Sequence, residues 1–163
     1  MPNVVNVSGL AAIKLNTASG SLELLGYSRD GVQIVYESFL HDVPGDENGG
    51  ESGPPIEQQI LGIIARIRMS LTKYDEAVLK KVEALARSNS ANWGSPPPPG
   101  TLLINTTNSY RVLIHTPVSP RNFPMAIPSA PIEVNKGTKY SEAILEWTAY
   151  KNQSGILVDE TTT

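Results

Sequence analysis

The sequence has 163 residues, of which 40% are hydrophobic and 18% are charged, and it contains no cysteine. This length suits one domain, and the composition is typical of a folded globular chain and excludes a disordered one. The missing cysteines exclude disulfides, thiolate metal sites and cysteine nucleophiles, and a net charge of −3 argues against free nucleic-acid binding as the main activity.

Short β-like runs separated by turn residues fill the first 40 positions. Residues 11–16 alternate apolar and polar side chains, and the turn residues of 17–20 lead into a second run at 21–28, which predicts a hairpin. The Arg-Asp-Gly turn at 29–31 then precedes GVQIVYESF and predicts a second hairpin. In that run Val32, Ile34, Tyr36 and Ser38 fall on one face, and Gln33, Val35, Glu37 and Phe39 fall on the other.

Residues 41–55, HDVPGDENGGESGPP, are rich in acids, glycine and proline and predict a long loop. Residues 42–57 contain five acids and no base, so they carry −5 and leave +2 for the rest of the chain. This concentration indicates an electrostatic docking element, with a solvated loop as the alternative. The candidate contact residues of the loop are Asp42, Pro44, Asp46, Glu47, Gly49, Gly50, Glu51 and Pro54.

The hydrophobic residues of the segment after the loop fit both a helical and a strand-like spacing. Its isoleucines at 60, 63, 64 and 67 have helical spacing, whereas Ile67, Met69 and Leu71 alternate with polar residues as in a strand. The β-branched side chains and Gly62 favour a strand over 57–71.

One helix is predicted, over about 74–88. Its apolar stripe has helical spacing, and Thr72 or Asp75 can cap its start. The stripe consists of Tyr74, Val78, Val82 and Leu85. Because this helix is too short to be stable alone, we expect it to pack on a sheet.

The second half of the chain begins with a proline-rich loop at 88–100. Residues 101–106 and 110–117 predict a further hairpin, and the prolines of 121–134 predict an edge strand or irregular cover. A last strand at 139–151 ends in a turn at 152–155. The fold class predicted from these elements is mainly β, an antiparallel sandwich or barrel with one packed helix and a long acidic loop.

Motifs for catalysis are missing. The only histidines are His41 and His115, and the chain has neither a G-x-S-x-G elbow nor a glycine-rich phosphate loop. The acidic loop lacks the ligand spacing of a calcium loop, so we predict no catalytic, metal or cofactor site. An enzyme using His41 with Asp42 is the remaining catalytic hypothesis. Trp147 is predicted in the core, and Trp93 beside the prolines is a candidate interface aromatic.

The chain is expected to be soluble and made in the cytoplasm. Its N-terminus lacks the cationic start and apolar core of a secretory signal, and no run approaches the roughly 18 apolar residues that span a bilayer.

Four segments stand in a characteristic order: DVPGDENGGESGPP, IARIRMSLTKYD, DEAVLKKVEAL and IEVNKGTKYSEAILEWTAY. This order resembles that of the tail tube proteins of long-tailed bacteriophages. The resemblance implies a single virion domain over 1–163, which forms a small β-barrel or sandwich and assembles into hexameric rings that stack into a tube for DNA ejection. Residues 41–55 would then be an arm between rings or subunits, flexible in the monomer and ordered on assembly.

The implied partners are further copies of the chain, other virion proteins, and genomic DNA that passes through the lumen without specific binding. The implied location is the virion, after synthesis in the host cytoplasm. Relatives of the same fold leave a capsid decoration protein, which would form trimers, or another head–tail structural protein as alternatives. A glycan- or cell-surface-binding β-module using Trp93 is the alternative from another class.

Overall fold

The computed structural model describes residues 11–17, 21–83, 99–100, 102–104, 109–116, 119–129, 133–137 and 141–161. Within these ranges the chain forms seven β-strands and one α-helix. They are β1 (Ala11–Thr17), β2 (Glu23–Val43), β3 (Glu57–Tyr74), α1 (Glu76–Glu83), β4 (Tyr110–His115), β5 (Arg121–Pro128), β6 (Glu133–Lys136) and β7 (Ser141–Ala149). No helix in this part of the chain is long and apolar enough to cross a membrane.

Six of the strands close into an antiparallel barrel. The strand order is β3-β2-β1-β4-β5-β7, and pairing of β3 with β7 from Ala65 to Leu71 closes it. The short β6 adds to β7 next to β5. The predicted fold class is therefore confirmed as mainly β and antiparallel with a single short helix, and the sheet is a barrel.

Alternating apolar side chains fill the barrel. The six barrel strands and α1 supply the largest fully buried side chains, which include Ile13, Leu15, Leu25, Ile67, Met69, Leu71, Leu79, Leu113, Phe123, Leu145 and Trp147. The Tyr110 and Trp147 rings meet edge to face, with centroids 5.7 Å apart and planes at 70°. The prediction that Trp147 belongs to the core is confirmed.

Helix α1 packs on this core as predicted, and Asp75 caps it. The backbone N–H groups of Ala77 and Val78 donate to Asp75 Oδ1 at 2.8 and 3.3 Å, and Val78 and Val82 are buried. Tyr74 ends β3 instead of opening the helix. The last predicted helical positions, 84–88, lie outside the described residues.

Burial of Tyr110 predicts a loss of stability at alkaline pH. Burial raises the pKa of Tyr110 to about 12, which means that the folded state favours the neutral phenol. This contribution is complete below about pH 10, where the unfolded phenol begins to ionise, and it is lost as the pH rises towards 12. We expect urea unfolding at pH 11.5 to show a decrease on the order of 2 kcal/mol relative to pH 9, and this decrease to be smaller in Tyr110→Phe. An equal decrease in both proteins would contradict the assignment.

The predicted second hairpin, at 29–31, is wrong. Strand β2 runs through this point, because Ser28 pairs with Leu71 and Val32 pairs with Met69 of the same strand β3. Three residues therefore lie opposite Ser70 as a bulge, with Gly31 at φ +85° and its carbonyl accepting a hydrogen bond from Ser28 Oγ at 2.5 Å. The Asp-Gly pair bends one long strand instead of reversing the chain.

Two predictions for the second half are also corrected. Residues 102–104 form no strand, and β4 pairs with β1 and β5 instead of with 101–106. Strand β5 is not an edge, because it lies between β4 and β7. It accommodates its prolines because Pro124 lies in a bulge opposite β4 and Pro128 is the last residue of the strand.

Candidate interaction surface

The hairpin of β2 and β3 extends beyond the barrel. Among the described residues, β1 pairs with β2 up to Ser28 and β7 pairs with β3 up to Ala65, whereas the β2–β3 ladder continues to the pair Val43 and Glu57. We call residues 35–64 the arm. From Glu37 to Val43 the arm projects roughly 23 Å, at about 3.3 Å per residue.

The ladder fixes which side chains share a face of the arm, because residues paired directly across antiparallel strands point the same way. We define the core-side face as the continuation of the barrel interior; its apolar members are Tyr36, Leu40, Ile60 and Ile63. We define the outer face as the continuation of the barrel exterior; its apolar members are Val35, Phe39 and Ile64. The sequence predicted this alternation correctly for residues 32–39.

Most of the exposed large hydrophobic side chains in the described chain lie on the arm. Seven of eleven belong to it, namely Val35, Tyr36, Phe39, Leu40, Ile56, Ile60 and Leu61, and Ile60 is the most exposed of them at 72%. An isolated two-stranded ribbon is only marginally stable in water, and contiguous apolar surface marks an interaction site. The arm is therefore the candidate interaction surface of the molecule.

A bulge near the middle of the arm shapes its outer face. The register shifts between Phe39 and Leu40, so Leu61 stands without a direct partner between Ile60 and Gly62. Gly62 lies opposite Phe39, and a Cβ at Gly62 would meet no atom within 4 Å. The outer face therefore has open space at Gly62, opposite Phe39, and we call this space the notch.

The predicted acidic loop is the tip of this longer arm. His41 still belongs to β2, and the chain turns through Asp46–Asn48 and Gly50–Ser52, two 3-10 turns. Gly49 has φ +94° and Gly50 has φ +63°, values that favour glycine. The tip is closed by the Ile56 N–H, which donates to the Val43 carbonyl at 3.0 Å, and by the Gly50 N–H, which donates to the Gly45 carbonyl at 3.1 Å.

All eight candidate contact residues of the loop lie together at this tip. Gly50 is half-buried and the other seven are exposed. Asp42 Oδ1 accepts a hydrogen bond from Gln58 Nε2 at 2.7 Å across the two strands. The structure thus presents these carboxylates as one acidic end, separated from the barrel by the apolar part of the arm.

Charged groups fix the root of the arm. Arg66 Nε donates to Glu37 Oε2 at 3.0 Å, and this hydrogen bond raises the pKa of the Arg66 guanidinium. On the other face, Arg121 Nη1 donates to the Tyr36 hydroxyl at 3.0 Å, with its guanidinium carbon 5.9 Å from the ring centroid. Strand β5 therefore holds the point where the arm leaves the barrel.

The other candidates from the sequence are the two histidines and Trp93. His41 lies at the exposed end of β2 and His115 at the end of β4, and no group of three or more histidine, aspartate or glutamate side chains in this part of the chain is arranged to hold a metal ion. Trp93 lies outside the described residues, so its predicted interface role stays a prediction.

Comparison with known proteins gives structural relatives only. No family model and no curated protein matches the chain. A chain in the tail of an empty gene transfer agent particle, a structure with C6 symmetry, has a TM-score of 0.55 and 14% identity, over 93% of this chain and 96% of that one. A chain in the virion of a native gene transfer agent particle has a TM-score of 0.53 and 12% identity, over 93% and 95%. The protein thus shares the fold of chains found in these particles.

Proposed function

We propose that this protein is a non-enzymatic structural subunit of a virion tail. In the finer form of the proposal it is the tail tube subunit, which assembles into hexameric rings that stack into a conduit for DNA ejection. The fold is supported over nearly the whole chain by the likeness to a chain in a C6-symmetric particle tail. At 14% identity the likeness supports only the fold, so the proposed role rests on the arm.

The exposed apolar side chains of the arm support the proposal most directly. Leu40, Ile60 and Leu61 are each about half or more exposed although they belong to regular strands. Fully burying a side chain of this size contributes about 1.5–3 kcal/mol, so covering the exposed part of each of these three contributes about 1–2 kcal/mol. A subunit that completes its packing only in the assembled particle accounts for such strands.

The acidic tip suits a particle that handles DNA without binding it. Residues 42–57 carry five carboxylates and no base, and like charge between carboxylates and phosphates opposes adhesion. The same charge keeps the free subunit soluble and slows its association at low salt. The tip residues are proposed as contacts between subunits or rings.

Self-assembly is tested by measuring the mass of the purified protein by light scattering over a range of concentrations, with negative-stain electron microscopy of the same samples. We expect six-fold rings or stacked tubes to replace the 17.6 kDa monomer as concentration rises. Trimers would instead favour a capsid decoration protein. A monomer at every concentration would contradict self-assembly.

A further inference from the structure

We infer that the two faces of the arm are the complementary halves of one interface, in which the core-side face of one copy packs on the outer face of the next copy. This inference rests on the proposed self-assembly and specifies which surfaces of two copies meet. It assigns a separate function to each face: Leu40 and Ile60 present the core-side half, and Val35 and Phe39 present the outer half.

Both faces of the arm are apolar at the same height along it. Leu40 is 49% exposed on the core-side face, and its neighbour Phe39 is 46% exposed on the outer face. An ordinary half-buried hairpin has one apolar and one polar face. A partner that covers only one face of this arm leaves the other in water.

Symmetry favours a contact between two different faces. In an isologous dimer a surface packs on its own copy, so two such arms joined through one face still expose the other. A head-to-tail contact joins two different surfaces, and its repetition covers both faces of every arm in a closed ring. Of these two arrangements, the head-to-tail one removes all the apolar surface of the arm with a single kind of contact.

Charge also permits this contact. Between the rim of the barrel and Asp42, neither strand of the arm places a charged residue on the core-side face, and the charge at its root is Arg121 of β5, which donates to the Tyr36 hydroxyl. On the outer face at this level Glu37 and Arg66 form an ion pair with each other, at 3.0 Å. Packing the two faces together beyond Tyr36, at the level of Leu40 and Ile60, therefore buries no unpaired charge, which would oppose the contact strongly.

Shape also favours this pairing. The notch beside Phe39, left by Gly62, lies on the outer face. Ile60, which is 72% exposed, projects from the core-side face close to the same height. A second copy of the chain therefore offers an aliphatic side chain suited to the notch.

The test uses two double variants that each block one face. The core-side variant is Leu40→Asp with Ile60→Asp, and the outer variant is Val35→Asp with Phe39→Asp. Each alone is expected to stay a monomer where the wild type assembles, because a desolvated carboxylate opposes burial. Mixed in equal amounts they are expected to form a 1:1 dimer of twice the monomer mass, joined through the one face that each retains.

Controls separate folding from assembly. All four positions are exposed, so each variant should keep the thermal unfolding midpoint of the wild type. If an aspartate variant fails to fold, the corresponding serine variant takes its place in the same mixing experiment. Ile156→Asp changes a side chain that is 40% exposed outside the arm, and it should assemble like the wild type.

The outcomes distinguish this inference from the function on which it rests. If either variant assembles alone, or if the mixture stays monomeric while the wild type forms rings, the two-face interface is wrong and the structural role stands. If the wild type itself stays monomeric under every condition, both the proposed self-assembly and this inference are wrong.

Discussion

Replacing residues 40–61 by an Asn-Gly turn is expected to abolish assembly and leave the barrel folded. Phe39 and Gly62 form a cross-strand pair, which a two-residue turn can close. The shortening removes Leu40, Ile60, Leu61 and the acidic tip, but it keeps Ile63, which packs against the core. We expect a change in unfolding free energy below about 1 kcal/mol, equivalent to roughly 2–4 °C in Tm, and no particle larger than a monomer by light scattering.

A second variant assigns the role of the acidic tip. Replacing residues 44–56 by Asn-Gly connects Val43 to Glu57, the last pair of the β2–β3 ladder, through a two-residue turn. This variant keeps the exposed apolar side chains of both strands of the arm. Rings that no longer stack would place the tip in the contact between rings. Tubes unchanged in length would remove the tip residues from the interface, and tubes formed by the 40–61 replacement would contradict the role of the arm altogether.

Gly26→Ala is expected to be the most damaging single substitution in the barrel. Gly26 lies between β1 and β3, where it pairs with Ile13 and Tyr74. An alanine Cβ at this position would lie 2.2 Å from the Lys73 carbonyl oxygen and 2.8 Å from the Tyr74 Cα. Because both obstacles are backbone atoms, the strands must separate, and we expect a loss of about 3–5 kcal/mol, or roughly 10 °C in Tm.

Gly62→Ala is the matched control for this prediction. It makes the same chemical change in β3, but an added Cβ at Gly62 meets nothing within 4 Å. Thermal unfolding of the two variants should therefore differ by several degrees, with Gly62→Ala close to the wild type. Equal midpoints for the two variants would contradict the packing described around Gly26.

Local chemistry was sufficient to predict the strand and the helix that follow the loop. The isoleucines of 57–71 favour a strand over a helix, and the structure extends that strand to Tyr74. Asp75 then caps the helix, because its carboxylate can reach the free N–H groups of the first turn. Both features depend on residues that are close in sequence, so the sequence contains the information.

Features that depend on pairing between strands far apart in sequence could not be predicted from local residues. The Arg-Asp-Gly turn at 29–31 suits a hairpin or a bulge equally, and the choice is made by β3, which pairs on both sides of it. Likewise, Pro124 argues against a central strand until the bulge opposite β4 is known. In each case a tertiary contact overrides the local signal.

The sequence predicted the acidic tip of the candidate site but not the exposed apolar side chains of the arm. The carboxylates of 42–57 stand out by composition, and the structure brings them together at the tip. Phe39 and Leu40 are adjacent apolar residues, a pattern that a strand buried on both faces also shows, so nothing in the sequence indicates that they leave the barrel. Whether an apolar side chain is covered depends on where the neighbouring strands end, and here β7 stops pairing with β3 at Ala65.

The accessibility of Ile60 in the assembled protein tests most directly whether the arm is the assembly interface. The chain has no cysteine, so Ile60→Cys and the control Gln153→Cys, at an exposed turn, each carry a single thiol. We expect maleimide to label position 60 at least tenfold more slowly in assembled particles than in free subunits, and to label position 153 equally in both. Equal labelling of position 60 in the two states would contradict the claim that the arm is the assembly interface.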